Sequence, residues 1–263
     1  MPKQRPISSI PGVILDTRDI PRSVVIRPKF IERGDDGPVH HHNREQLVYA
    51  DRGVMLVSTD SGSWVVPPNR AVWVPSKMDH GVKTITDCRM LNVFFDPGLL
   101  AKLPKTCSVV SVPPLLQELL RHASTFPDLY DEDGPEGRVI DVIVDSVQSL
   151  DTVPLHLPMP TDKRLRRVAE AIIADPADKR SQTDWAKTCG ASVRTLARLF
   201  PEQTGMTFSA WRQQARLMAA LERLAAGEAV VSIALDLGYA SQSAFITMFK
   251  KALGTTPGKY FSN

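Results

Sequence analysis

Ala186-Lys-Thr-Cys-Gly190-Ala-Ser192-Val-Arg-Thr-Leu196-Ala-Arg-Leu-Phe200 and Ala234-Leu-Asp-Leu-Gly238-Tyr-Ala-Ser241-Gln-Ser-Ala-Phe245-Ile-Thr-Met-Phe249 are two versions of one pattern. In each, a short helix ends at a glycine and a tight turn follows. A serine then starts a second helix, and aromatic or aliphatic residues four apart hold that helix down. Two such units in one chain imply one polypeptide that sets two helices in the grooves of DNA.

The two second helices divide into faces. In the first unit, Trp185, Leu196, Leu199 and Phe200 form a small core, and Ser192 is placed to cap the helix by accepting from its free first-turn amides. The outward face then carries Arg194, Ala197 and Arg198. Arginine forks onto guanine O6 and N7, and alanine meets a thymine methyl. In the second unit, Ala244, Phe245, Met248 and Phe249 are read as inward, which leaves Gln242, Ser243, Ile246 and Thr247 facing bases. Glutamine suits adenine, and Lys250 and Lys251 suit phosphates. Thr207 to Ala226 reads as a long helix joining the units. Its length of roughly 30 Å is close to the ~34 Å between successive major-groove faces.

Charge agrees with this reading. The 263-residue chain has a net charge of +3, but from Asp162 onward there are 15 Lys and Arg against 9 Asp and Glu, and before it 17 against 20. The basic half is the one a polyanion requires. No apolar run approaches the ~18 residues of a membrane span. Met1 to Pro11 has no apolar stretch followed by a small-residue cleavage site, so export is not expected. Cys88, Cys107 and Cys189 are odd in number and scattered, as reduced thiols in a cytoplasm are.

Three prolines in Pro154-Leu-His-Leu-Pro-Met-Pro160 mark residues 154–161 as a linker between a domain over 1–153 and another over 162–263. The second is all helix, with Lys163 to Ala174 leading in. The first reads as short strands, Arg22–Arg27, Gln46–Tyr49, Val54–Val57, Ser63–Val66, Ala71–Val74 and Met90–Phe95, separated by Gly-, Asp- and Pro-rich turns. Such spacing predicts an all-β barrel or jelly roll. Two added helices follow, Leu115–Thr125 and Glu136–Leu150, the second with Val139, Ile140, Ile143, Val147 and Leu150 on one face for the barrel core or a second subunit.

The C-terminal hundred residues are similar to an AraC/XylS-type domain. The first half is carried by Ala191-Ser192-Val-Arg194-Thr195-Leu196-Ala-Arg198-Leu199-Phe200 and Thr204-Gly205-Met-Thr-Phe208-Ser-Ala-Trp211-Arg212. The second is carried by Ile233 to Phe245, Phe249-Lys250 and Gly254-Thr-Thr-Pro257. The resemblance spans about Asp162 to Phe261 and implies a transcriptional regulator whose two recognition helices read adjacent major-groove segments of promoter or operator DNA, with RNA polymerase as a partner if it activates. Pro201 departs from the pattern, where a basic residue is usual after the phenylalanine. It puts a phosphate contact in doubt and can end the recognition helix early.

Six histidines occur, three of them consecutive. In extended chain His40 and His42 point one way and His41 the other. Pro75-Ser-Lys-Met-Asp-His80 brings a further histidine after a proline turn. Neutral imidazoles from His40, His42 and His80, with Glu45 or Gln46 as a fourth ligand, suit a divalent transition metal such as nickel, zinc or iron. His122 and His156 read as surface and linker residues. Tyr49, Trp64, Trp73 and Phe94 are candidates to line an apolar cavity for a small molecule. His-x-His followed by Gly53, and then Pro75 to His80, resembles the two motifs of the cupin barrel, with Glu45 at a shorter spacing than usual. In regulators of this kind the resemblance implies a sensor for a small-molecule or metal effector that often forms a homodimer. A metallocupin enzyme carrying a DNA-binding domain is the alternative, but no acid–base pair beside the histidines calls for one.

Overall fold

The computed structural model describes residues 20–153 and 155–260. The N-terminal stretch read for export signals, Pro154 of the linker and residues 261–263 lie outside them. In chain order the sheet-rich part runs β1 (Val24–Ile31), β2 (Glu45–Arg52), β3 (Met55–Thr59), β4 (Gly62–Val66), β5 (Arg70–Val74), β6 (Gly81–Thr84), β7 (Cys88–Phe95) and β8 (Ser108–Ser111). Helices α1 (Pro114–Ala123) and α2 (Pro135–Gln148) follow, then the short strands β9 (Thr152–Val153) and β10 (Leu157–Pro158).

These strands make two antiparallel sheets, one ordered β1-β7-β2-β5-β8-β9 and the other β10-β4-β3-β6. Period-two alternation decides what each sheet face meets. On β2 and β5, Val48, Ala50, Val72 and Val74 join Met55, Val57, Trp64 and Val66 of the second sheet in one core. The intervening Leu47, Tyr49, Ala71 and Trp73 join α1 and α2 through Leu116, Leu120, Ile140, Ile143 and Val147 in another. Each large apolar side chain buried this way contributes about 1.5–3 kcal/mol.

The structure decides one open reading here and changes two. Ile143 and Val147 are fully buried against the larger sheet, so that face of α2 is core and is not free to meet a second subunit. Tyr49 and Trp73 lie on the helix side of the sheet, Trp64 lies between the sheets, and Phe94 stands with His42. The four aromatics therefore cannot line one cavity, because odd and even positions of a strand face opposite ways. The proline-rich linker is also stitched to the sheet, since Leu157 and Pro158 pair with Ser63 and Gly62 as β10.

The rest is helical: α3 (Lys163–Ala174), α4 (Gln182–Thr188), α5 (Val193–Thr204), α6 (Phe208–Ala225), α7 (Val230–Asp236), α8 (Gln242–Leu253) and α9 (Pro257–Tyr260). α3 and α6 keep the predicted limits to within a residue. α5 passes through Pro201 and ends three residues later at Thr204, so the expected early stop is corrected. The carbonyl that proline leaves without its donor belongs to Ala197, an exposed residue open to water. α6 packs on β4 and β10 and joins the two parts of the molecule.

Candidate functional site

The two helix pairs are built alike. α4 ends near Gly190 and α7 near Gly238, both with φ near +70° (67° and 77°), a conformation the turn needs and glycine supplies without strain. Ser192 Oγ accepts from Thr195 N (3.0 Å), and Ser241 Oγ from Ala244 N (3.2 Å). Each second helix is 12 residues long and ends at a left-handed glycine, Gly205 or Gly254. Leu196, Leu199 and Phe200 hold α5 down, and Phe245, Met248 and Phe249 hold α8 down. Arg223 fixes the second pair to the connecting helix by bonding both Glu228 and Asp236 (2.6 Å each).

The outward positions fall mostly as expected. Arg194, Ala197, Arg198, Gln242, Ser243, Thr247, Lys250 and Lys251 are all exposed. Arg198 is engaged with Glu202 one turn on (2.7 Å), and the Thr247 hydroxyl donates to the Ser243 carbonyl (2.9 Å). Two flanking positions of α8 exchange places. Ala244, read as inward, is exposed, and Ile246, read as outward, is half-buried against the core. At 100° per residue they sit symmetrically on either side of Phe245. Periodicity cannot choose between them, and the neighbouring helices do.

The histidines converge through backbone pairing. His40 and His80 exchange both backbone hydrogen bonds, N–H to O at 3.0 and 2.9 Å, which sets their side chains on the same side. His42, two residues on, joins them, with ring centroids 4.5–5.1 Å apart across the trio. One ring nitrogen from each of His40, His42 and His80 lies within 4.8 Å of the others. Nδ1 of His40 faces the Pro38 carbonyl (2.8 Å) and Nδ1 of His80 the Met78 carbonyl (2.9 Å). Both rings therefore donate from Nδ1 and leave Nε2 as the atom turned to the trio, and His80 Nε2 is buried with no hydrogen-bond partner. Burial, reinforced by the neighbouring imidazoles, holds His42 down to about 3 and His80 down to about 4, so both are neutral at pH 7. His41 points away to Asp79 (2.8 Å).

Glu45 is not part of this group. It precedes Gln46 on β2 and so faces the other side of the sheet, where it meets the Gly98 amide (3.5 Å). Gln46 is on the histidine side. Its Nε2 donates to Asn92 Oδ1 (2.9 Å), and its Oε1 is buried without a partner. Asn92 went unnoticed in the sequence because only the β2–β7 register, Val48 opposite Asn92, brings it there. His156, read as an ordinary linker residue, is stacked on Trp64 with centroids 4.7 Å apart and rings 8° from parallel.

A two-sheet domain joined to a helical domain with paired, capped helices and a basic outer face defines a DNA-binding regulator with an appended sensor. The family model described as "Helix-turn-helix domain" matches residues 185–263, and that described as "AraC-like ligand binding domain" matches 30–132. The HTH-type transcriptional regulator NimR of Escherichia coli is 34% identical over 225 residues, 86% of this chain and 82% of that protein. The HTH-type transcriptional regulator RipA of Corynebacterium glutamicum is 34% identical over 110 residues, 42% of this chain but 33% of that protein. ToxT of Vibrio cholerae is a structural neighbour at TM-score 0.39 and 12% identity, covering 91% of this chain and 98% of its own. The chain belongs to the AraC/XylS family of transcriptional regulators, with an N-terminal ligand-binding domain and a C-terminal helix-turn-helix DNA-binding domain. None of its described helices is long and apolar enough to cross a membrane.

Proposed function

We propose that both helix pairs are helix-turn-helix units, that α5 and α8 read two successive major-groove segments, and that a cupin-like jelly roll of the two sheets controls them. The observation that carries this reading is the equivalence of the two 12-residue helices, each serine-capped, glycine-ended and polar outward. Their connector α6, 18 residues long, spans about 27 Å of helix. Arg194, Ala197 and Arg198 read one segment. Gln242, Ser243 and Thr247 read the other, with Ile246 limited to an apolar edge contact. Lys250 and Lys251 hold phosphates.

The test uses a duplex site selected by the full-length protein from a random-sequence pool. Arg194→Ala and Gln242→Ala are each expected to weaken that site by about 1–3 kcal/mol and to relax base preference at separate positions. Lys250→Ala should weaken specific and non-specific duplexes equally. Undiminished binding by both base-face variants would overturn the assignment.

For the sensor, the histidine geometry supports a divalent transition metal held by His40, His42 and His80. The buried, unpartnered Nε2 of His80 and the neutral imidazoles of His42 and His80 fit such an ion, and Gln46 Oε1 is an unpartnered, uncharged oxygen on the same face of the sheet. When bound, the ion ties the His40–His42 segment to the turn before β6. Calorimetric titration of the full-length protein with nickel, zinc, cobalt and ferrous ions should show one site that is lost when all three histidines become alanine. No binding to the folded wild type would remove metal from the reading and leave the DNA assignment intact.

A further inference from the structure

A cavity of about 320 Å³ opens beside the linker, away from the histidine cluster and sharing no residue with it. Trp64, Cys107, Val109, Thr152, Val153 and His156 contribute to its lining, and no Asp, Glu, Lys or Arg does. Burial lowers the pKa of His156, so this wall is uncharged at neutral pH. The imidazole lies flat on the Trp64 indole and against the backbone of Gly62, where a Cβ would stand 2.4 Å from His156 Nε2. Trp64 Nε1 and His156 Nε2 are both buried without a hydrogen-bond partner. Buried orphan polar atoms of this kind are uncommon, and a bound molecule with matching groups can satisfy them.

The same segment holds the DNA-binding part. β9 pairs with β8 before His156, and β10 pairs with β4 after it. The His156 carbonyl accepts from Gln214 Nε2 (3.2 Å), and the Pro158 carbonyl accepts from Trp211 Nε1 (2.6 Å). Trp211 and Gln214 are one turn apart on α6, the helix that joins the two DNA-reading pairs.

Resting on the reading that the sheet domain senses an effector, we propose that this cavity is the effector pocket, that its ligand is a small uncharged aromatic molecule, and that occupancy reaches the DNA-binding half through residues 155–158. The volume suits a small ligand. The absence of charged lining argues against a charged one, which would be buried unpaired. The parallel indole and imidazole offer a surface for a planar ring to stack on or to take the place of the imidazole. A ligand that moves His156 pulls on the two bonds to α6. By linkage, the factor by which it changes DNA affinity must equal the factor by which DNA changes its own.

The test titrates the full-length protein with indole, benzimidazole and 2-naphthol, with 2-naphthoate as the charged comparison, following ligand signals by saturation-transfer NMR. Thr152→Trp and Ser61→Trp fill the cavity from exposed rim positions, and thermal melting checks that each variant folds. The expected result is saturable binding of a neutral probe at one site, exclusion of 2-naphthoate, and at least a tenfold loss in both variants. The bound probe should also change affinity for the selected DNA site, and Gln214→Ala should reduce that change. No saturable binding of any neutral probe, or undiminished binding in both variants, overturns the pocket. Binding with no effect on DNA overturns the relay. Metal titration of the same samples keeps the outcomes separate, because His40, His42 and His80 can lose or keep their ion without touching this result.

Discussion

At the scale of single residues, the two candidate sites are limited by what their side chains already touch. Arg198 meets Glu202 at 2.7 Å with both groups largely exposed, a pairing worth only about 0.3–0.5 kcal/mol. It must let go of Glu202 to fork onto a guanine. On the proposed reading face, Glu202→Gln frees it and removes a negative charge that would face DNA, so affinity for the selected site should rise roughly twofold to fivefold. Fluorescence anisotropy showing weaker or unchanged binding would remove Arg198 from the reading face. His42 and His80 make a second prediction, about pH. Their folded pKa values of about 3 and about 4 lie below the ordinary 6.5, so below that value the unfolded chain takes up protons the folded chain refuses. The metal-free protein should therefore lose stability from pH 7 toward pH 4. A melting-temperature series with His42→Gln and His80→Gln together should show a shallower decline, and an identical slope would contradict the burial argument.

At the scale of elements, caps and breakers govern the two helices proposed to reach DNA. Ser241 is the side-chain cap of α8, and Ser241→Ala should cost about 0.5–2 kcal/mol in chemical unfolding. The loss should also appear in DNA affinity, since an unravelled first turn misplaces Gln242. Pro201 sits inside α5, where proline costs up to about 3 kcal/mol relative to a residue that completes the ladder. Pro201→Ala should raise the melting temperature, and a drop would mean that its ring packing matters more than the missing bond. The helical half was largely legible at this scale: a glycine, a serine two or three residues on and an apolar pair four apart are local signals. The sheet half was legible only in its longer strands. Gly81–Thr84 and Ser108–Ser111 are four residues each, and β9 and β10 two, too short for alternation to register.

At the scale of the whole molecule, the two parts meet along α6, β4 and β10. The Trp211 indole is fully buried and donates to Pro158. Trp211→Phe keeps most of the packing and deletes the donor, leaving the half-buried Pro158 carbonyl without it at a cost of about 1 kcal/mol. Hydrogen exchange should rise across residues 155–158 and the start of α6 while the β2–β7 core keeps its protection. Uniform exchange across both parts would show that this bond does not define the junction.

The sequence by itself determined the two-part organisation, the paired helices with their caps and most of their outward faces. Each follows from short-range physics: side-chain period, turn conformation and local capping. Tertiary structure decided the rest. Strand pairing set Gln46 opposite Phe94, the ring that meets His42, turned Glu45 to the other face, and brought Asn92 to Gln46. Helix neighbours, not period, buried Ile246 and exposed Ala244. The fold of the linker onto β4 turned His156 into the wall of a cavity and the tether of α6. These depend on contacts between residues tens of positions apart, and no window of local sequence contains both partners.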